Sequence, residues 1–197
     1  MKKIISLFLV IITLSLTLCS CAPDFSEEDA LGYVKDLLER EIELTPYLYG
    51  HAFETEKDPS DVLDSKASMY FEVRSDMPYR KLEELIEKVD GIYSKELREA
   101  IYEYAFTGND FYRPRFANTT KGVLQIDVTN KGYDLTAELD MSTLRIKRMT
   151  NSIIEAKVDY VAGKNKTERT MTVKLVREGG QWYLDMQTWA ISIKENG

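Results

Sequence analysis

The residue best suited to proton transfer is the single histidine of the chain, His51. A hydrolytic triad needs a histidine that is held by an acid and touches a serine or cysteine nucleophile. His51 lies in an irregular stretch of tyrosines and charged residues, and no nucleophile motif accompanies it. A pairing of His51 with an aspartate is the remaining enzymatic interpretation, and a solvated loop histidine is the simpler one.

Motifs that hold metals or cofactors are missing from the sequence. It contains no HExxH motif, no CxxC motif and no EF-hand loop, and neither a P-loop nor a GxGxxG motif. Carboxylates are numerous, yet in the predicted strands they alternate with apolar residues, which places them on a solvated face. The sequence therefore predicts no metal, no cofactor and no enzymatic activity.

The N-terminal residues carry the most specific pattern in the chain. Lys2 and Lys3 precede an apolar stretch over residues 4–18, which has the length of a secretory h-region. The stretch ends in a box that resembles the lipobox of bacterial lipoproteins, Leu18-Cys19-Ser20-Cys21. The resemblance implies acyl chains such as palmitate on Cys21 and a location at the outer face of the cell membrane. A plain secretory signal and an uncleaved N-terminal helix are the alternatives.

This pattern sets the predicted boundaries: a signal peptide over 1–20, a lipidated tether over 21–25, and one domain over 26–197. Cleavage removes Cys19 and the lipid blocks Cys21, so we expect neither a disulfide nor a free thiol in the mature domain. A domain of roughly 175 residues can bury a sizeable core without such cross-links.

The charge of the chain argues against nucleic acid as a partner. The formal net charge is −7, and it becomes −9 once Lys2 and Lys3 are removed, because 24 basic residues then face 33 acidic ones. Binding to a duplex depends largely on lysine and arginine neutralising phosphates. An acidic surface suits a basic protein partner, or it simply keeps the domain soluble.

Hydrophobic periodicity predicts a first helix that begins at Ser26 and ends before Pro46. Ser26 and Asp29 have the spacing of a capping box. The apolar stripe of this helix is predicted at Leu31, Val34, Leu38 and Ile42.

Two further helices are predicted, one from Pro78 to a cap at Gly91 and one from Ser94 to a cap at Gly108. Leu85 and Ile101 lie in the middle of their apolar stripes, so both are predicted to be buried.

The remainder alternates between apolar and polar residues with a period of two, as in antiparallel strands with one wet face. A strand is predicted over 68–74, and others near 111–117, 123–129, 133–139, 143–149, 152–161, 168–177 and 181–187. Helices followed by a strand meander predict an α+β domain, in which the N-terminal helices pack on a curved antiparallel sheet.

An aromatic patch interleaved with arginine is the most distinctive candidate surface. Its aromatic members are Tyr102, Tyr104, Phe106, Phe111, Tyr112 and Phe116. We predict partner binding by Tyr112, Arg113, Arg115 and Phe116, since aromatic residues and arginine are enriched at interface hot spots. Both arginines are expected to point outward, with Pro114 placing the segment at an edge. Two interpretations compete with this one: the arginines pair with acids of the same domain, or the patch is core packing between the third helix and the first strand, which would include Tyr104, Phe106 and also Phe111.

The stretch from Ser68 to Met186 resembles the DL-endopeptidase inhibitor (IseA) family of Gram-positive bacteria. The matching features are the strand Tyr70 to Val73, the helix with Pro78, Tyr79, Leu82 and Leu85, the helix start Tyr93 to Leu97, and the closing hairpin Val173 to Asp185. The closing Gly-x-Trp hairpin is also similar to that of NTF2-like lipoprotein domains. The segment from Phe111 to Phe116 departs from the inhibitor pattern.

The resemblance implies an IseA-like or NTF2/cystatin-like fold and a cell-envelope lipoprotein that binds a protein and inhibits a hydrolase. The expected partners are the membrane, through the lipid on Cys21, and a secreted peptidoglycan DL-endopeptidase. The alternatives are an NTF2-like ligand-binding or enzymatic domain, with a pocket between helices and sheet, and an accessory lipoprotein of unknown partner.

Overall fold

The first helix, α1, spans Glu27–Leu48 in the computed structural model, which describes residues 23–58, 69–130, 132–162 and 167–188. The predicted signal peptide and Cys21 lie outside the described residues. Ser26 Oγ accepts a hydrogen bond from Asp29 N at 3.1 Å, and the Asp29 carboxylate accepts one from Ser26 N at 3.0 Å. These bonds confirm the predicted capping box. The Ser26 hydroxyl also donates to the Asp29 carboxylate at 2.6 Å, and this bond, together with the one from Ser26 N, lowers the pKa of Asp29.

The prediction that α1 ends before Pro46 is wrong, because the helix continues through this proline to Leu48. Proline disrupts a helix by removing a backbone donor and by crowding the carbonyl four residues earlier. Leu44 and Leu48, on either side of Pro46, are buried, so packing of the last turn outweighs the local cost. Thr45 Oγ1 also donates to the Glu41 carbonyl at 2.6 Å.

The buried face of α1 is rotated relative to the predicted stripe. Val34 and Leu38 are buried as predicted, whereas Leu31 is half-buried and Ile42 is 45% exposed. The buried residues of the helix are Ala30, Val34, Leu37, Leu38, Glu41, Leu44, Thr45 and Leu48. The Glu41 carboxylate can lie on this buried face because Tyr93 and Thr188, which belong to two distant segments, donate hydrogen bonds to it inside the core.

Two shorter helices follow, α2 over Leu82–Ile92 and α3 over Lys95–Tyr102. Ser94 caps α3 as predicted, since its Oγ accepts a hydrogen bond from a backbone N–H of the first turn at 3.4 Å. Leu85 on α2 and Ile101 on α3 are fully buried, which confirms their predicted core positions. Among the described helices, none combines the length and the apolar character needed to cross a membrane.

Both predicted ends of α2 are wrong. Pro78 precedes the helix, which is capped at Lys81, where the Glu84 carboxylate accepts a hydrogen bond from Lys81 N at 3.1 Å. Gly91, predicted as the residue that ends the helix, lies inside it. Its carbonyl accepts a hydrogen bond from Arg40 Nη2 at 2.8 Å, and a Cβ on Gly91 would lie 2.6 Å from that nitrogen. The absence of a side chain at Gly91 leaves room for the Arg40 guanidinium.

The strands form two antiparallel sheets. The first has the order β1-β3-β2 and comprises β1 (Tyr70–Glu72), β2 (Phe116–Asn118) and β3 (Leu124–Asp127). The second is a meander of β4 (Glu138–Met149), β5 (Ile153–Ala162), β6 (Thr167–Glu178) and β7 (Gln181–Leu184). Helix α1 packs on β4, β5 and β7. The predicted α+β class is confirmed, although the strands divide into two sheets.

One long strand replaces the two that were predicted over 133–139 and 143–149. Strand β4 runs without a turn, and its register with β5 shifts between Asp140 and Arg145. The Asp140 carboxylate accepts a hydrogen bond from Ser142 N at 3.0 Å, which marks a local irregularity of the bulge type. The predicted alternation in β5 is confirmed, with Ile154, Ala156, Val158 and Tyr160 buried.

Candidate partner-binding loop

The segment predicted to bind a partner follows α3. The chain first makes one π-helical turn, Glu103–Thr107, which closes where Gly108 N donates to the carbonyl five residues earlier at 2.8 Å. Residues 109–114, here termed the Phe111 loop, then lead to β2. The predicted strand over 111–117 is wrong in its first part, since only Phe116–Asn118 pairs with a neighbouring strand.

Gly108 ends the helical segment as predicted, since it caps the π-helical turn just before the Phe111 loop. Its φ of +66° lies in the left-handed region that favours glycine. A Cβ at this position would lie 2.7 Å from the Tyr112 carbonyl oxygen and 2.8 Å from the Pro114 ring. The loop therefore folds back tightly on its own base, and a larger residue at Gly108 would force it open.

Asn109 holds the Phe111 loop from within. Its side-chain oxygen accepts hydrogen bonds from Phe111 N at 2.8 Å and Tyr112 N at 3.1 Å. The Glu103 carboxylate accepts one bond from the Asn109 side-chain amide and another, at 2.9 Å, from the Tyr112 hydroxyl. These two bonds lower the pKa of Glu103. Because the loop is held by its own contacts, a partner would meet a preorganised surface.

Phe111 lies at the tip of the loop with 94% of its surface exposed, beside Tyr112, which is 44% exposed. Arg113 is exposed as well. The expectation that Phe111 packs in the core is therefore wrong. The sequence did contain a sign of this, since Gly108-Asn109-Asp110 immediately before Phe111 is a run of turn-forming residues.

Arg115 and Phe116, also predicted to bind a partner, are buried, at 2% and 0% exposure. Arg115 donates to the Asn130 carbonyl at 2.8 Å and to the Gly50 carbonyl at 2.6 Å. The prediction that Arg115 points outward with Arg113 is wrong, because the two carbonyls hold the Arg115 guanidinium inside the fold while Arg113 lies in the exposed loop before β2. Arg115 is therefore structural, as the competing interpretation held, but its described hydrogen bonds go to carbonyl and amide oxygens and not to a carboxylate.

Phe116 belongs to an aromatic cluster below the loop. Its ring lies 5.6 Å from that of Phe53 and 6.3 Å from that of Phe106, between ring centroids. Arg115 Cζ lies 5.5 Å from the centre of the same ring. This packing secures the base of the Phe111 loop, so Phe116 supports the loop without being part of its surface.

A surface hollow of about 720 Å³ lies beside the Phe111 loop. Its walls include Met69, which is 45% exposed, as well as Thr129 and Asn130 at the end of β3. Asp110 and Arg113 contribute opposite charges at its margin. The apolar Phe111 tip and the polar hollow beside it resemble the apolar centre and polar rim of protein–protein interfaces.

His51 is exposed, and its Nε2 lies 3.4 Å from Asp134 Oδ1. It borders a different hollow of about 480 Å³, shared with Glu54, Arg115 and Asp127. The described lining of this hollow comes from the segment after α1, from Arg115, and from β3 and the residues that follow it, and it includes no residue of the four-stranded sheet.

No three acidic, histidine or cysteine side chains within the described ranges lie close enough together to hold a metal ion. A scan against models of known protein families finds no match, and no curated protein has a sequence significantly similar to this one.

Proposed function

We propose that this protein is a cell-envelope lipoprotein that binds another protein through the Phe111 loop and restrains it. The observation that carries the proposal is Phe111 itself, which is almost fully exposed on a loop that hydrogen bonds and glycine geometry hold in place. Aromatic anchors of this kind contribute a large share of the binding energy at protein interfaces. The proposed role requires no catalytic group.

The shape of the site favours a protein over a small molecule as the partner. Small ligands bind in concave sites that enclose most of their surface. Phe111 protrudes, so it would enter a cleft on the partner. A partner's active-site cleft is a natural receptor for such a tip, and its occupation would block the substrate.

The resemblance to the DL-endopeptidase inhibitors suggests a secreted peptidoglycan hydrolase as this partner. The chain has 33 acidic and 26 basic residues, and an acidic domain attracts a basic wall enzyme over long range. The three exposed side chains Phe111, Tyr112 and Arg113 would form the contact, with Arg113 pairing with a carboxylate of the enzyme.

We expect the purified domain in molar excess to slow the release of muropeptides from isolated cell walls by a DL-endopeptidase of the same organism. Phe111→Ala should weaken this inhibition at least tenfold, which corresponds to about 1.4 kcal/mol of binding free energy. Because Phe111 is exposed, its replacement should leave the thermal midpoint of unfolding unchanged.

Ile42→Ala is the matched control, since Ile42 is a 45% exposed apolar residue on α1, outside the Phe111 loop. This variant should inhibit like the unmodified domain. Full inhibition by Phe111→Ala would remove the loop from the proposal, and unchanged hydrolysis with the unmodified domain in excess would remove the hydrolase.

The proposed attachment to the membrane depends on Cys21. Cys21→Ala should abolish incorporation of a fatty-acid probe and release the protein from the membrane fraction or leave it unprocessed. Cys19→Ala is the matched control and should still be labelled, because cleavage is expected between the two cysteines. Continued labelling of the Cys21→Ala protein would contradict the assignment.

A further inference from the structure

The chain enters the domain at one defined end of the four-stranded sheet. Asp24 N donates to Asn151 Oδ1 at 2.7 Å, in the turn between β4 and β5. The Asp24 carboxylate accepts from Arg177 Nη1 at 3.1 Å, near the turn between β6 and β7. Both turns lie at the same end of the meander, as the pairing of Ile153 with Val176 requires. Asp24, assigned by the sequence to the tether, is thus in contact with the folded domain.

Three aromatic side chains surround this point. The ring of Phe25 lies 5.3 Å from that of Trp182 and 6.1 Å from that of Tyr33, and Tyr33 stacks on Trp182 at 6.1 Å. Arg177 Cζ lies 5.7 Å from the centre of the Trp182 ring. Tyr33 is 39% exposed, and the other two rings are half-buried. These four residues are here termed the aromatic pole.

The covalent chain limits how far the aromatic pole can lie from the proposed lipid. Cys21 is three residues before Asp24. Three residues span at most about 11 Å even when fully extended. A lipid on Cys21 would therefore hold Asp24, and with it the neighbouring aromatic pole, close to the bilayer surface, because Asp24 lies within about 11 Å of the lipidated residue.

We propose that the aromatic pole is a membrane-contact surface, and that Phe25, Tyr33, Trp182 and Arg177 rest in the headgroup region of the bilayer. This inference depends on the proposed lipid attachment. Tryptophan and tyrosine are enriched at this depth because their rings are amphipathic, and arginine can reach toward the headgroups. The aromatic pole would contact the membrane–water interface in general and would not select anionic lipids, because Glu27 and its acidic neighbours in the first turn of α1 repel negative headgroups.

The proposed contact also orients the Phe111 loop. Helix α1 has 22 residues and so extends about 33 Å away from the aromatic pole. Gly50, just beyond its far end, accepts the hydrogen bond from Arg115 at the base of the loop. The base of the Phe111 loop therefore lies at the end of the domain remote from the aromatic pole and from the proposed membrane contact.

Fluorescence quenching in vesicles tests this orientation. The lipidated full-length protein, with its mass confirmed, is reconstituted into phosphatidylcholine vesicles with brominated or ordinary acyl chains. Trp189→Phe leaves Trp182 as the single tryptophan of the chain. We expect brominated lipid to reduce its emission at least twofold.

The matched probe sits at the opposite end of the domain. In a Trp182→Phe, Trp189→Phe, Phe111→Trp protein, emission should be the same in both kinds of vesicle. Equal quenching of both probes, or no quenching of Trp182 in protein that carries the lipid, would overturn the membrane-contact surface alone. A mass without the lipid would overturn the proposed attachment, and the membrane-contact surface with it.

Discussion

Arg115→Met is expected to lower the free energy of unfolding by about 2–4 kcal/mol. The guanidinium joins the Gly50 carbonyl at 2.6 Å to the Asn130 carbonyl at 2.8 Å, and both would be left without their donor. A buried acceptor that loses its partner costs about 1–3 kcal/mol. Removal of a desolvated charge offsets part of this, since burial lowers the pKa of Arg115.

The residues around Arg115 are too tightly packed for a neighbouring group to move in and replace the lost hydrogen bonds. A Cβ added at Gly132 would lie 2.9 Å from Arg115 Nη2 and 2.7 Å from the Gly50 carbonyl oxygen. Arg115→Lys should therefore recover only part of the stability, because one ammonium group cannot match the two-pronged guanidinium.

Arg113→Met is the matched control, two residues away on the exposed part of the Phe111 loop. Its effect on stability should stay within about 0.5 kcal/mol. Urea denaturation followed by circular dichroism measures both variants. Equal stability of the Arg113 and Arg115 variants would mean that the buried guanidinium does not join these segments.

The stability of the protein should fall as the pH rises from about 4.5 toward 7, because of the buried Glu41. Its carboxylate accepts hydrogen bonds from Thr188 Oγ1 at 2.5 Å, from Thr188 N at 3.1 Å and from the Tyr93 hydroxyl at 3.1 Å. Burial outweighs these donors and raises the pKa of Glu41 to about 7.

The direction of this pH dependence follows from the protonation of Glu41 in the unfolded and the folded protein. The unfolded chain releases the Glu41 proton near pH 4.5, whereas the folded protein keeps it until about pH 7. The contribution of the protonated carboxyl to stability is therefore complete below pH 4.5, declines between 4.5 and 7, and levels off above 7. A shift of this size corresponds to about 3 kcal/mol.

Glu41→Gln isolates this contribution, because the amide is neutral at every pH. Urea denaturation from pH 4.5 to 8 should show the stability of the unmodified protein falling by about 3 kcal/mol relative to that of the variant. Glu39→Gln, at an exposed position on the same helix, should leave the pH profile unchanged. A Glu41→Gln profile parallel to that of the unmodified protein would contradict the prediction.

Periodic patterns allowed much of the fold to be predicted. The capping box at Ser26, the buried Leu85 and Ile101, and the alternation in β5 follow from local spacing, and the structure confirms them. Pro46 shows the limit of such rules. A proline in the sequence predicts the end of a helix, but the packing of the buried residues on either side of Pro46 outweighs its cost to the helix.

The candidate site could be predicted only in part. Tyr112 and Arg113 are exposed as expected, but Arg115 is buried because carbonyl groups distant in sequence surround it. Phe111 shows the opposite error, since its hydrophobicity suggests the core while the preceding turn directs it into solvent. Hydropathy is a property of the side chain alone, whereas the burial of Arg115 and the exposure of Phe111 depend on which other segments of the chain pack around them.

The bond between Glu41 and Thr188 also bears on the order in which the protein can fold. It joins residues 147 positions apart. Helix α1 is synthesised before β4, β5 and β7, so its buried face stays uncovered until these strands follow. In proteins, most of the stability of an amphipathic helix comes from tertiary packing of its apolar face. Contacts of such high sequence separation make folding slow, so the N-terminal helix is the part of the nascent chain that most needs protection from aggregation and proteases.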